Sequence, residues 1–173
     1  DRRKGEAAIA SVCDDSGMIL WHYELNTPMG PMRATFDGRG RLLELVLEGF
    51  DPRKTSPLPP KEQREAKRFL DRQIEAYLAG TLRTFTVPLD PQGRPSHLRI
   101  WDTVRTIPYG QTRQPSDFAA WLGLDEEVVV MACASNPIAL LIPAHRVILP
   151  GEGPLPRALR DLESGLGWRK PGV

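Results

Sequence analysis

Proline and glycine divide this chain into two stretches of different character. Between Phe85 and Pro95 the four breakers Pro88, Pro91, Gly93 and Pro95 fall close together, a spacing that no helix or central strand tolerates. Upstream, apolar and β-branched residues come in short runs separated by turn signals; downstream, their spacing is mostly helical. The segment therefore reads as an extended linker. It predicts two units, residues 1–88 and residues 89–173.

The first unit reads as a small antiparallel sheet followed by a helix. Residues 1–17 are polar and mixed, an arm or an edge strand, and β content rises from Met18 to Tyr23. Thr27-Pro28-Met29-Gly30-Pro31 predicts a turn, Met32 to Phe36 a strand, Asp37-Gly38-Arg39-Gly40 a hairpin and Leu42 to Leu47 the next strand. Four prolines between Pro52 and Pro60 mark a loop. From Lys61 to Ala79, the residues Ala66, Phe69, Leu70, Gln73, Ile74, Tyr77 and Leu78 repeat at helical spacing, and Gly80 ends the run. This stripe is expected to pack the helix on the sheet.

The second unit begins with a helical run from Ser96 to Thr106 and the turn Ile107-Pro108-Tyr109-Gly110. Pro115 suits a first helical turn, and Phe118, Ala119 and Leu122 lead to a stop at Gly123. Asp125 is placed to cap a second helix, with Glu126 and Glu127 in its first turn and an end near Ala134. Two short helices joined by a glycine turn read as a helix-turn-helix. Asn136-Pro137 breaks the pattern, and the apolar run Ile138 to Ile142 leads into Pro143-Ala144-His145-Arg146-Val147.

Charge alone does not assign a nucleic-acid partner. The net charge is +1, and from Pro91 onward nine Lys/Arg are interleaved with eight Asp/Glu. No window approaches the roughly 18 uninterrupted apolar residues of a membrane helix. The two cysteines, Cys13 and Cys133, lie far apart and are expected to be reduced. The chain is thus expected to be cytoplasmic and away from membranes. His22, His97 and Cys13 lack metal-ligand spacing, Gly38 and Gly40 are explained by the hairpin, and neither metal nor cofactor is expected.

Function is suggested by a set of motifs in order. The segment Ile142-Pro143-Ala144-His145-Arg146-Val147-Ile148 resembles the active-site strand of the O6-alkylguanine-DNA alkyltransferases, which carry Pro-Cys-His-Arg-Val. Asn136-Pro137 is similar to that family's Asn hinge, and Ile107-Pro108-Tyr109-Gly110-Gln111-Thr112 to the stretch before its helix-turn-helix. Leu89-Asp90-Pro91-Gln92-Gly93 with Trp101 resembles its linker and first helix, and Thr27 to Pro31 a turn of its N-terminal sheet. The resemblance implies an α/β N-terminal domain of ribonuclease-H-like shape, with an antiparallel sheet and a helix. It implies a mostly helical, winged-helix-like DNA-binding domain after it.

In that family a thiolate, activated through a water by a His that an acid orients, takes an alkyl group from guanine O6 and keeps it. The damaged base is first rotated out of the duplex. Ala144 occupies the nucleophile position and has neither lone pair nor acidic proton, so no transfer is expected, with His145 left beside it. Cys133 reads as a small buried packing residue, and Cys13 is remote. Glu163, in Leu159-Arg160-Asp161-Leu162-Glu163, is the candidate orienting acid, a solvated surface carboxylate being the alternative.

Three further departures accompany Ala144. Pro115 stands where the family has a base-rotating Tyr, and no Lys or Arg occurs from Leu124 to Ser135, where the family inserts an Arg into the base stack. Glu127 falls near that position. The family's Tyr-x-Gly-Gly pocket loop is replaced by Leu149-Pro150-Gly151-Glu152-Gly153-Pro154-Leu155-Pro156, with no Tyr or Ser. Arg113, Arg146 and the Arg157/Arg160 pair remain as candidate phosphate contacts, Arg146 equally as a brace for its own segment.

The first reading is therefore a monomeric alkyltransferase-like protein without transfer activity. It would bind double-stranded DNA, alkylated or not, and signal to a repair-protein partner in the cytoplasm, or on the nucleoid of a bacterium. Alkyltransferase-like relatives usually carry Trp at the nucleophile position and lack the N-terminal domain, whereas this chain has Ala and keeps the domain. A second reading is an interaction module that has lost DNA contact. A third is an active suicide methyltransferase in which Ala144 replaces a native cysteine.

Overall fold

The structure, a computed structural model, describes residues 10–13, 15–47 and 61–172. The expected Pro52–Pro60 loop and most of the N-terminal arm lie outside them. The described residues form two compact units, one holding residues up to Glu75 with Thr86–Pro91, the other Ala76–Phe85 with Gln92 onward. No helix among the described residues is long and apolar enough to cross a membrane.

In the first unit β1 (Ala10–Cys13), β2 (Ile19–Thr27), β3 (Gly30–Phe36) and β4 (Leu42–Val46) form an antiparallel meander in sequence order. The sheet is more continuous than expected: β2 runs through to Thr27, and its hairpin closes where the Thr27 hydroxyl donates to the Gly30 carbonyl at 2.8 Å. Alternation places Tyr23 and Leu25 of β2 with Met32, Ala34 and Phe36 of β3 in the core. Leu42 and Leu45 join from β4, and Leu70 and Ile74 from α1 (Lys61–Leu78). Phe69, expected on the buried stripe of α1, lies at its flank and is 36% exposed. The buried row instead begins with Gln63, whose side-chain amide donates to the Asp37 carbonyl at 2.8 Å.

The expected linker is only partly a linker. Leu89 bridges Leu42 in parallel, with Leu42 N–H donating to the Pro88 carbonyl at 2.8 Å and Asp90 N–H to the Leu42 carbonyl at 2.9 Å. A proline cannot donate, but its carbonyl serves the outer edge of β4, so residues 86–91 belong with the sheet.

In the second unit α2 (Pro95–Val104) buries Ile100, Trp101 and Val104. Trp101 Nε1 donates to the Ala132 carbonyl at 2.8 Å. Gly93 is required here, because a Cβ on it would meet the Trp101 ring at 2.7 Å. The helix-turn-helix comprises α3 (Pro115–Leu122) and α4 (Glu126–Ala134), with Gly123 between them in the left-handed region at φ 66°. Asp125 holds the N-cap position of α4 in extended conformation without a side-chain capping bond. After α4 the expected strand at 142–148 is absent. Pro143 interrupts pairing, Ala144–Arg146 form a single 3-10 turn, and one parallel bridge joins Val147 to Arg113. Helix α5 (Pro154–Asp161) runs into a wide turn at Leu162–Leu166.

Candidate functional site

Three segments of the second unit converge on one carboxylate. Glu163 is delivered by the wide turn after α5, His145 and Arg146 by the 3-10 turn, and Tyr77 by the last turn of α1. Glu163 is buried, with 1% of its side chain exposed, and Tyr77 is fully buried. An isolated charge in such surroundings is costly unless its lone pairs are met. Here they are. Tyr77 Oη donates to Glu163 Oε1 at 2.7 Å, and Arg146 Nη2 to the same oxygen at 2.8 Å. Arg146 Nε lies 3.1 and 3.0 Å from the two oxygens, and Gly110 N–H donates to Oε2 at 3.2 Å. Burial alone would raise the Glu163 pKa; hydrogen bonds from His145, Arg146 and Tyr77 outweigh it and hold the carboxyl well below its usual range. Gly110, at φ 79°, permits the approach, since a Cβ there would sit 3.3 Å from the Glu163 carbonyl.

His145 Nε2 lies 2.8 Å from Glu163 Oε1. The ionised carboxylate only accepts, so the proton belongs on Nε2 and the lone pair on Nδ1. Nδ1 has no protein hydrogen-bond partner among the described residues. Burial, aided by the positive charges of Arg146 and Arg160, holds the His145 pKa below its ordinary 6.5, against the pull of Glu163. The imidazole is therefore neutral at physiological pH, with its basic nitrogen turned away from the carboxylate. Ala144, half-buried at the start of the same turn, contributes only a methyl group.

The surrounding backbone is held by side chains. Asn136 Nδ2 donates to the Ile142 carbonyl at 2.8 Å, and its Oδ1 accepts from Ile138 N–H at 3.0 Å, closing the loop before Ala144. Within that loop Leu140 has φ 68°, a conformation unfavourable for Leu. Arg160 Nη1 donates to the His145 carbonyl at 2.9 Å, while its two terminal nitrogens grip both oxygens of Glu152.

The candidate phosphate contacts separate. Arg146 is buried, and Nη1 donates to the Ile107 carbonyl at 2.8 Å while Nε and Nη2 serve Glu163, so no donor nitrogen of it remains for phosphate. Arg160 is committed to Glu152 and His145, whereas Arg157 is 72% exposed on its side chain. Arg113 is exposed, its guanidinium bonded to Thr112 and Gln111 of its own loop. Pro115 is buried, and Glu127 is exposed on α4. Cys133 is buried on α4, and burial pushes its thiol up to about 12, which leaves it protonated and unreactive. The side chain of Cys13 lies outside the described residues.

Sequence reading placed Tyr77 in the core stripe but not in this cluster. The available signal was chemical: a buried tyrosine hydroxyl needs a partner, and Glu163 supplies it.

The second unit's pattern is matched in known proteins. Residues 95–155 match the DNA-binding domain family of 6-O-methylguanine DNA methyltransferase. The methylated-DNA–protein-cysteine methyltransferase of Methanosarcina acetivorans is 33% identical over 133 residues, 75% of this chain and 83% of that protein. Its namesake from Mycobacterium tuberculosis is 35% identical over 133 residues, 73% and 78% of the two chains. The crystal structure of the M. tuberculosis O6-methylguanine methyltransferase aligns with a TM-score of 0.70 at 30% identity, covering 89% of this chain and 96% of that one. That of M. tuberculosis OGT in complex with DNA aligns at 0.68 and 31% identity, covering 84% and 93%. An α/β unit followed by a mostly helical unit with a helix-turn-helix is thus shared along most of the chain. The chain belongs to the methylated-DNA–protein-cysteine methyltransferase family.

Proposed function

We propose that this chain is a member of its DNA-repair family that binds DNA carrying O6-alkylguanine without accepting the alkyl group. The observation that carries this reading is Ala144, a methyl group beside an otherwise complete set of His145, Glu163, Arg146 and Tyr77. A thiol at that position would pass its proton towards a neutral, carboxylate-oriented His145. A methyl group has none to pass. Cys133, with its thiol at about 12, offers no replacement. DNA binding is supported by the family match over the DNA-binding domain and by the relative solved with DNA.

The test has two parts. Incubation with an O6-methylguanine duplex leaves the polypeptide mass unchanged, as read by intact-mass spectrometry. A methyl adduct would overturn the reading. Fluorescence anisotropy over a salt series shows tighter binding to the alkylated duplex than to the unmodified one. Equal affinity for both would remove lesion recognition. Ala144→Cys is expected to restore little or no transfer, because Pro115 and the Leu149–Pro154 loop remain; stoichiometric uptake would identify the chain as a methyltransferase that lost its cysteine alone.

A second reading, an interaction module without DNA contact, is favoured by the exposed face of α4. Glu127, Met131 and Ala134 share that face, preceded by exposed Asp125 and Glu126. Phosphates would be repelled there. Absence of duplex binding at any salt concentration would select it.

A further inference from the structure

In the second unit, the C-terminal segment and α5 enclose a groove of about 490 Å³. Arg157, Arg169 and Lys170 all line it. The carboxylates in the same lining are Glu152 and Asp161. Glu152 is not free to neutralise the three cations. Its two oxygens are gripped by Arg160, and that bond is the main reason its pKa is held down. Arg157 stands 3.9 Å from Glu152 Oε1, a loose contact on a side chain 72% exposed. Arg169 and Lys170 are exposed and have no hydrogen bond or ion pair among the described residues. Three cations therefore share one concave surface with Asp161 as the uncommitted acid.

The rest of the unit makes that surface more telling. From Pro115 to Ser135, across both helices of the helix-turn-helix, there are four acids (Asp117, Asp125, Glu126, Glu127) and no Lys or Arg. Arg146 is buried and Arg160 is engaged. A protein that holds a polyanion by phosphate contacts needs cations free to displace counterions. They are absent from the helix-turn-helix; of the unit's exposed cations Arg83, Arg94, Arg99, Arg105 and Arg113 lie elsewhere, while Arg157, Arg169 and Lys170 share this groove. Two guanidinium groups present fork-shaped donor sets suited to phosphate oxygens, and a volume of about 490 Å³ exceeds what a single small ion needs.

We propose that the groove of Arg157, Arg169 and Lys170 binds phosphate, and that its occupant is the sugar-phosphate backbone of duplex DNA. This rests on the DNA-binding reading above and adds a backbone contact on the C-terminal face of the unit.

The experiment compares the full chain with the triple variant Arg157→Glu, Arg169→Glu, Lys170→Glu. Thermal melts confirm that this exposed substitution leaves the fold intact. In anisotropy with a labelled duplex, the variant is expected to lose about tenfold or more in affinity near 0.1 M salt. Its slope of log affinity against log salt is expected to become shallower by about 2 to 3. Arg105→Glu, on an exposed residue outside the groove, serves as the charge control and changes binding less. If the parent binds duplex and the triple variant binds equally well with the same slope, the groove proposal is wrong and the DNA-binding reading stands. If the parent binds no duplex at any salt, the DNA-binding reading fails, and a titration with inorganic pyrophosphate decides the groove. Saturable NMR shifts at Arg169 and Lys170 that vanish in the triple variant keep a phosphate site filled from a free source. No shifts overturn it.

Discussion

Two charged regions of the second unit follow opposite rules. Around Glu163 every charge is buried and answered: His145, Arg146, Tyr77 and Gly110 all direct donors at one carboxylate. On α3–α4, Asp117, Asp125, Glu126 and Glu127 are exposed with no Lys or Arg between Pro115 and Ser135. The buried cluster ties together segments far apart in the chain, with 86 residues separating Tyr77 from Glu163. Its retention is explained by packing whether or not chemistry happens beside it. Asp117 accepts from Gln114 N–H at 3.0 Å and caps α3, but the carboxylates of Asp125, Glu126 and Glu127 make no such bond among the described residues, and their charge reports on what the surface meets. The interior is therefore held by partners that do not include the Ala144 methyl group, while the exposed helices carry an acidic surface.

Breaking the buried side has the largest effect. Glu163→Ala strands the buried guanidinium of Arg146 and is expected to cost about 3–5 kcal/mol, read from urea denaturation midpoints. A cost below about 1 kcal/mol would show that the cluster contributes little. Acid probes the same cluster without mutation. Glu163 has a folded pKa below its ordinary 4.5, so its stabilisation is present above that value and is lost as pH falls below it. His145 has a folded pKa below 6.5, so the unfolded chain takes up its proton first and stability already declines as pH drops through 6.5. Denaturation midpoints between pH 7 and 3 should thus fall in two stages, and His145→Gln should remove the upper one. A single stage in both proteins would contradict the assignment.

Smaller effects sharpen the comparison. Arg160→Ala releases half-buried Glu152 and the His145 carbonyl, with an expected loss of about 1.5–3 kcal/mol. Glu127→Arg should leave stability within about 0.5 kcal/mol, because the site is exposed. It should nonetheless tighten duplex binding several-fold, with a steeper salt dependence by anisotropy. Unchanged binding would show that α4 does not face DNA.

How far residues alone carried the reading depends on the range of the interaction. Pro115 opened a helix and Gly123 closed one, because these residues restrict the backbone wherever they stand, whereas Pro95, expected to end the linker, is the first residue of α2. The meander followed from alternation and turn residues, though β2 proved longer than its β-branched run. Phe69 was misplaced because a helical stripe has a flank, and only the sheet beneath decides which edge is covered. The 142–148 segment looked extended and is a 3-10 turn held by Asn136, Arg160 and one bridge to Arg113.

By itself the sequence determined the order of elements, the absence of sulfur at residue 144 and the absence of cations on the helix-turn-helix; each is a property of residues or near neighbours. Tertiary structure decided where the arginines went. Arg146 turned inward to Glu163, Arg160 left Arg157 for Glu152, and Arg157 met Arg169 and Lys170 across a groove. A guanidinium is equally at home in water, on a buried carboxylate or beside a phosphate. The choice is made by desolvation and by partners that only the folded chain brings within reach.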